Sequence, residues 1–400
     1  MKQLRWFVLL IVISQLFTAF VGRSLNPFAA YIGESFALSN FQIGFLPTAL
    51  FVGQFIATLP MGFIADKVAT HRLLLMLMLI VGSGFLLLAT IEGNYFITLF
   101  FIMLAGIGYG GMHPVTNKML VQLYPIEKIA LPMGLKQMSI TLGSALASIL
   151  LIAIAEDFGW RHTIAMASLF LMIIGLVVYF ILRPYEENFR SHSAMETSLI
   201  SQLKKIISSG PLFFTTLVAL ILMGIQVTFN TYLLLYLIEV KQWAIYLAGW
   251  ALACSELFGA LGRVMWGVIS DKFLNSNRWI ALLIIAIWLP PALYALHIVQ
   301  HHLLLLAVIA TIGFSLSGFN GVWMNLAVES VSKTLSGSAS GYSVTFASVG
   351  VFIIPPLFGF ILDKSSYVQA GAFLVCVSIV CALIIVVRLF CEKKLNSMNQ

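Results

Sequence analysis

The chain has 400 residues, of which 60% are hydrophobic and only 9% charged, with a formal net charge of +7. Soluble domains carry about 25% charged residues, and a soluble fold of this length could not bury so much apolar surface. Composition therefore excludes a soluble domain, and the basic surplus must be explained by something other than nucleic acid.

Apolar runs of about 18 residues or more, the length that crosses a bilayer, recur from end to end. Segmenting at charged or Pro-, Gly- and Asn-rich breaks predicts twelve spans. They lie at 6–31, 41–64, 73–91, 95–122, 131–155, 161–182, 211–238, 246–269, 279–297, 302–327, 338–362 and 367–389.

The opening "MKQLRWFVLLIVISQLF" imitates a secretory leader. No small-x-small cleavage site follows and the apolar run continues past Arg23, so it reads as a retained first helix. Arg23 stands well inside this span, where an ionisable side chain is costly and marks a functional candidate. Its planar fork of donors suits a carboxylate or phosphate. An internal ion pair and snorkelling to the interface are the other readings. Asn26 follows three residues on, on nearly the same face, and Pro27 permits a kink. The second span carries Gln54, a substrate ligand or a packing amide. It ends in the charged elbow "GFIADKVATHR" at 62–72, which holds Asp66, Lys67 and Arg72.

The fourth span contains "GIGYGGMHPVTNK", whose glycines allow close helix packing. His113 and Asn117 are spaced i, i+4 and share a face. His113 titrates near physiological pH and is a candidate for proton coupling; a hydrogen-bonded packing histidine is the alternative. Lys136 and Gln137 lie about 1.5 turns into the fifth span. Lys136 can bind an anion or snorkel to lipid phosphates. After the sixth span comes the longest polar stretch, 183–210. It reads as a cytoplasmic linker with an interfacial amphipathic piece near "LISQLKKII", dividing a six-helix bundle at 1–182 from a second bundle and short tail at 211–400.

In the second half, Gln226 and Asn230 form another i, i+4 polar pair. Glu256 sits mid-span on the eighth helix, where a carboxylate needs a partner or a proton. It is a second coupling candidate, or else a partner for Arg263 two turns along. A second elbow, "GVISDKFLNSNR" at 267–278, carries Asp271 and Lys272. On the tenth span Asn320 and Asn325 flank Trp323, and this group either lines a cavity or packs helices. Glu329, near the cytoplasmic end, reads as solvated. Cys254, Cys376, Cys381 and Cys391 lack metal-ligand spacing and read as apolar packing.

With the N-terminus in the cytoplasm, sixteen of the 22 Lys and Arg residues fall on that side or its edge. Three (Arg161, Lys241 and Lys364) fall outside, and Arg23, Lys136 and Arg263 lie within spans. This bias follows the positive-inside rule, accounts for the net charge, and places both termini in the cytoplasm.

The two elbows repeat at an offset of 205 residues, and Gly106, Gly111, Gly134 and Gly143 recur as Gly313, Gly318, Gly341 and Gly350 at an offset of 207. A six-helix unit thus occurs twice in parallel, one architecture of secondary transporters. "GFIADK" and "GRVMWGVISDK" resemble the two loop signatures of the major facilitator superfamily, although Ala69 and Thr70 replace the usual Gly and Arg of the first copy. "LSNFQIGFLPTALFVGQFIATLPMGFIADK" is similar to the second helix of organic-anion symporters in that superfamily. "GLKQMSITLGSALASIL" with "GWR" at 159–161 is similar to the fifth helix of cyanate-transporter-like members.

The resemblance implies an all-α membrane protein of twelve helices in two parallel six-helix repeats. It implies a gating role for Asp66, Lys67, Arg72, Arg263, Asp271 and Lys272. It implies that the first helix of each half borders a central cavity, with Arg23, Asn26, Gln54, Asn117, Lys136, Gln226, Asn230, Asn320 and Trp323 as substrate-binding candidates. It also implies a bacterial inner-membrane location. No "GxxxxGK[ST]" phosphate loop, His/Cys metal cluster or nucleophile elbow is found in the sequence, so neither an enzyme nor a cofactor is expected. The expectation is a monomeric, proton-coupled carrier of a small organic anion, with lipid and no nucleic acid as its other partners. The rival is a proton-driven exporter of a drug, siderophore or other amphiphile. The absence of the "GPxxGG" pattern of drug/proton antiporters weighs against it.

Overall fold

A computed structural model describes residues 2–124, 129–185, 208–331 and 336–398. Most of the linker expected at 183–210, including its amphipathic piece, lies outside them. Among the described residues every regular element is a helix. The helices bury Gln15, Gln54, Thr116, Lys136, Gln226 and Glu256 while exposing Trp6, Phe96, Leu131 and Phe180. That inversion of a water-soluble protein is what a hydrocarbon solvent selects.

The first crossing is two helices. α1 (Lys2–Gly22) and α2 (Leu25–Ser35) meet at Arg23 and Ser24. Pro27 has no N–H to return to the Arg23 carbonyl, so the ladder stops there. That carbonyl accepts instead from the Asn26 backbone N–H at 3.2 Å. The sequence expectation of one span at 6–31 is corrected to a broken helix reaching Ser35.

α3 (Asn40–Lys67) opens on a capping box: the Ser39 hydroxyl accepts from the Gln42 backbone and the Gln42 side chain accepts from the Ser39 N–H. α4 (Thr70–Thr90) and α5 (Tyr95–Leu123) follow, the latter capped by the Asn94 side chain. α6 (Ala130–Leu146), a π turn (Ala147–Leu151) and α7 (Ile152–Leu182) form one helical run. Among the described residues eleven runs are long and apolar enough to cross a membrane, but this one, counted as Leu131–Tyr185, has 55 residues. At 1.5 Å per residue it is more than twice a bilayer core. It breaks at Gly159 (φ 77°, ψ 153°), so it supplies two crossings and brings the total among the described residues to twelve. That backbone region is open only to glycine. Gly159→Ala is expected to lower the thermal stability of detergent-purified protein by about 1–3 kcal/mol, read by its unfolding midpoint.

The second half comprises α8 (Gly210–Glu239), α9 (Ile245–Phe273), α10 (Arg278–Ile298), α11 (His302–Leu316), α12 (Phe319–Glu329), α13 (Ser336–Ala347), α14 (Val349–Lys364) and α15 (Tyr367–Met398). α11 and α12 are one crossing broken at Ser317 and Gly318. α13 and α14 are another, broken at Ser348, whose hydroxyl bonds back to the Val344 carbonyl.

Contacts divide the chain into two compact units. One holds 1–196 with 230–253, and the other 197–229 with 254–400. In the first, Gly143 on α6 presses on the Leu16 carbonyl of α1, so that a Cβ would overlap it; in the second, Gly350 on α14 presses in the same way on the Leu220 carbonyl of α8. At Gly143 and Gly350 the repeated glycine of the sequence is thus a repeated backbone-to-backbone crossing.

Arg161 has a structural task in the first unit. Its guanidinium lies 4.6 Å from the Trp160 ring and 5.2 Å from the Phe36 ring, and it donates to the Ile91 carbonyl. Trp160 in turn donates to the Ser35 hydroxyl at 2.8 Å.

Candidate functional site

In the first unit the polar residues converge on one face of α5. Tyr109, His113 and Asn117 stand on successive turns, with Thr116 beside them. The glycines around Tyr109 bring α3 against α5, and Gln54 is part of that seam: Gly110 lies directly on its backbone. Pro114 cannot donate to the Gly110 carbonyl, which accepts from the Thr58 hydroxyl at 3.5 Å.

Arg23 reaches this face from the break in the first crossing. Its Nε donates to the Tyr109 hydroxyl at 3.1 Å, and the Tyr109 ring stands edge-on to His113 with centroids 6.4 Å apart. Asn26, buried in the first turn of α2, sits just beyond the break.

Lys136 reaches the same face from α6. Its side chain is fully buried (0% exposed). Its Nζ donates to the Asn117 Oδ1 and, at 3.5 Å, to the His113 carbonyl. The amine is therefore turned inward, away from lipid headgroups. The Thr116 hydroxyl donates to the Met112 carbonyl of its own helix at 2.5 Å and lies 3.3 Å from both the His113 carbonyl and Gln15 Oε1. Gln15, on α1, is 0% exposed, and its Nε2 has no hydrogen-bond partner among the described residues. One network thus joins α1, α5 and α6 around a buried amine. No Asp or Glu occurs in any of these three helices. Both oxygens that hold the amine are neutral.

In the second unit, the break between α11 and α12 frees the Ser317 carbonyl. Arg263 Nε donates to it at 3.2 Å and Asn320 Nδ2 at 3.0 Å. Gln226 Nε2 donates to the Ser317 hydroxyl at 2.9 Å, and Asn320 donates to Gln226 Oε1 at 3.1 Å. Arg263 therefore helps close the broken helix. Trp323 is buried, stacks on Phe319 and donates to Ser343 at 2.8 Å. Asn325 is exposed, whereas Glu256 is buried; Asn230, which belongs to the first unit, is buried there.

At the second elbow Asp271 pairs with Arg278, the first residue of α10, at 3.3 Å, and Arg278 also chelates Glu329 at 2.8 Å. Lys272 is exposed. Glu329 is thus half solvated and half ion-paired, a role its position at a helix end did not suggest. The first elbow holds a neutral counterpart: the Thr70 hydroxyl donates to Gln122 Oε1 at 2.9 Å. Thr70 replaces the expected Arg, and a neutral amide faces it. Lys67 and Arg72 are exposed; the Asp66 side chain lies outside the described residues. His71, which the sequence reading left in the elbow, is buried in the first turn of α4 and stacks on Tyr179 with centroids 5.7 Å apart.

The family model of the Major Facilitator Superfamily matches residues 11–355 and 243–399. The chain belongs to the major facilitator superfamily. Its relatives are membrane transporters and allied proteins at low identity. The membrane sensor protein UhpC of Salmonella typhimurium is 24% identical, over 83% of this chain and 79% of that protein. The probable sulfoacetate transporter SauU of Cupriavidus necator is 22% identical, over 87% of this chain and 85% of that protein. The fold agrees with the crystal structure of a bacterial homologue of the human lysosomal transporter Spinster, in an inward-facing and unoccupied conformation. It has a TM-score of 0.75 at 15% identity, covering 96% of this chain and 95% of that one. As a superfamily member, this chain is a multi-pass membrane transporter rather than an enzyme.

Proposed function

We propose that this transporter carries a small organic anion, coupled to protons, across a bacterial inner membrane with both termini in the cytoplasm. Lys136 carries the reading. The buried Lys136 amine meets only neutral oxygens, in helices without a carboxylate, so its ammonium form would be short of a counter-charge. Desolvating it is costly unless an anion pairs with it. A carboxylate or sulfonate would be that anion.

Arg23 stands at the far end of the same α5 face and supplies a second positive group, placed by the helix break and steadied by Tyr109. Asn26, Asn117 and Gln54 belong to the same half of the chain. Gln226, Asn230, Asn320 and Trp323 are the second half's substrate candidates. Alternating access would expose the site to either side as protonation biases one state over the other. Residue type alone nominates His113 and Glu256 as proton carriers, and the hydrogen bonding of Lys136 makes it a rival to both. Asp66, Lys67, Arg72, Arg263, Asp271 and Lys272 would bias the states from the elbows. The sulfoacetate transporter among the relatives supports an oxyanion substrate.

The test is a thermal-shift series on purified protein with sulfoacetate and benzoate, repeated on Arg23→Ala. Stabilisation by either anion in the parent, weakened at least 10-fold in apparent affinity by the substitution, is expected. Stabilisation by hydrophobic amines and dyes with none from anions would move the reading to an exporter of amphiphiles.

A further inference from the structure

We infer that Lys136 is the group that takes up a proton together with the anion, so that it couples as well as binds. This rests on the anion-carrier reading above. Hydrogen-bond counting carries it. A neutral amine has two N–H groups and an ammonium three. Lys136 Nζ meets two acceptors, Asn117 Oδ1 and the His113 carbonyl, each a neutral oxygen. These satisfy the amine. The third N–H of the ammonium has no acceptor among the described residues, and neither does the Gln15 amide nitrogen of the same network.

An incoming carboxylate or sulfonate supplies the acceptor the ammonium lacks and the missing charge. The step balances as amine plus proton plus anion giving an ammonium–anion pair, with no net charge added to the site. Each partner raises the affinity for the other. Release on the opposite side runs in reverse, the anion leaving with the proton.

The groups around the amine leave little else to balance it. On α5 the titratable residues nearest it are His113, whose carbonyl it touches and whose ring is turned against Tyr109, and Lys118 beside Asn117. On α1 the ionisable residues are Lys2 and Arg5, at the start of the helix. Arg23 lies at the far end, at Tyr109. The π turn has none. All of these are basic or neutral.

The experiment adds sulfoacetate or benzoate to detergent-purified, weakly buffered protein at mildly alkaline pH and follows a pH indicator alongside calorimetric binding. The expected result is uptake of close to one proton per anion bound. Lys136→Arg, fixed in its charged form, should still bind anion but take up no proton, while His113→Gln and Glu256→Gln keep the uptake. Anion binding without proton uptake in the parent protein overturns the coupling role and leaves the carrier reading standing. Uptake that survives in Lys136→Arg, or disappears in His113→Gln or Glu256→Gln, also overturns it. Absence of any anion binding in the parent overturns both. If Lys136→Arg does not fold, the parent stoichiometry and the two other variants still decide.

Discussion

Replacing Lys136 with Met is expected to abolish anion binding while leaving the empty protein as stable as before, or more so. The two effects have one cause. The amine occupies a fully buried position with neutral partners. Met keeps most of the buried apolar stem and removes a polar group whose desolvation is costly, at the expense of two hydrogen bonds to neutral oxygens. Losing a buried charge that pairs with a ligand costs about 2–5 kcal/mol of binding, or roughly 30-fold to more than 1,000-fold in affinity. Calorimetry with sulfoacetate and a thermal melt on the same preparation read both. A purely structural lysine predicts the opposite pattern: a lower melting point, with anion affinity unchanged in the protein that remains folded.

The second large effect concerns the fold. Gly350→Val would drive a side chain into the Leu220 carbonyl of α8, and Gly143→Val would do the same to the Leu16 carbonyl of α1. Backbone cannot yield as a flexible side chain does, so each is expected to cost about 3 kcal/mol, near the upper end of overpacking penalties. Gly134 has open space around it. Gly134→Ala should therefore be neutral or slightly stabilising, because alanine is the better helix former. Unfolding midpoints of the three variants test this. Equal midpoints for Gly350→Val and Gly134→Ala would show that the close crossings are not where the chain is tight.

Much of this was legible in the sequence because bilayers impose a simple grammar. Apolar length set the crossings, and the charge asymmetry suggested an orientation. The offset of 207 between Gly143 and Gly350 marked a contact that both halves make. Pro27 announced the break at Arg23, since a missing N–H is a local property.

The break at Ser317 had no such herald. Its freed carbonyl is satisfied by Arg263 and its hydroxyl by Gln226, residues 54 and 91 positions away. Lys136 was equally ambiguous in one dimension: near a helix end, a lysine can snorkel out or turn in. Only the position of Asn117 and the His113 carbonyl shows which. Gln15 went unnoticed because a single amide in an apolar run carries no pattern, and its meaning comes from Thr116 on another helix. The third span, expected from 73, starts at Thr70, so His71 falls inside the helix. The neutral Thr70–Gln122 pair shows how a degenerate motif keeps its geometry.

The most direct measurement is counterflow of radiolabelled sulfoacetate or benzoate in liposomes containing the purified protein, set beside efflux of cationic dyes. The account predicts that internal unlabelled anion drives accumulation of external labelled anion, and that Lys136→Met abolishes it. Dye efflux with no anion exchange, or anion binding with no flux at any pH gradient, would contradict it.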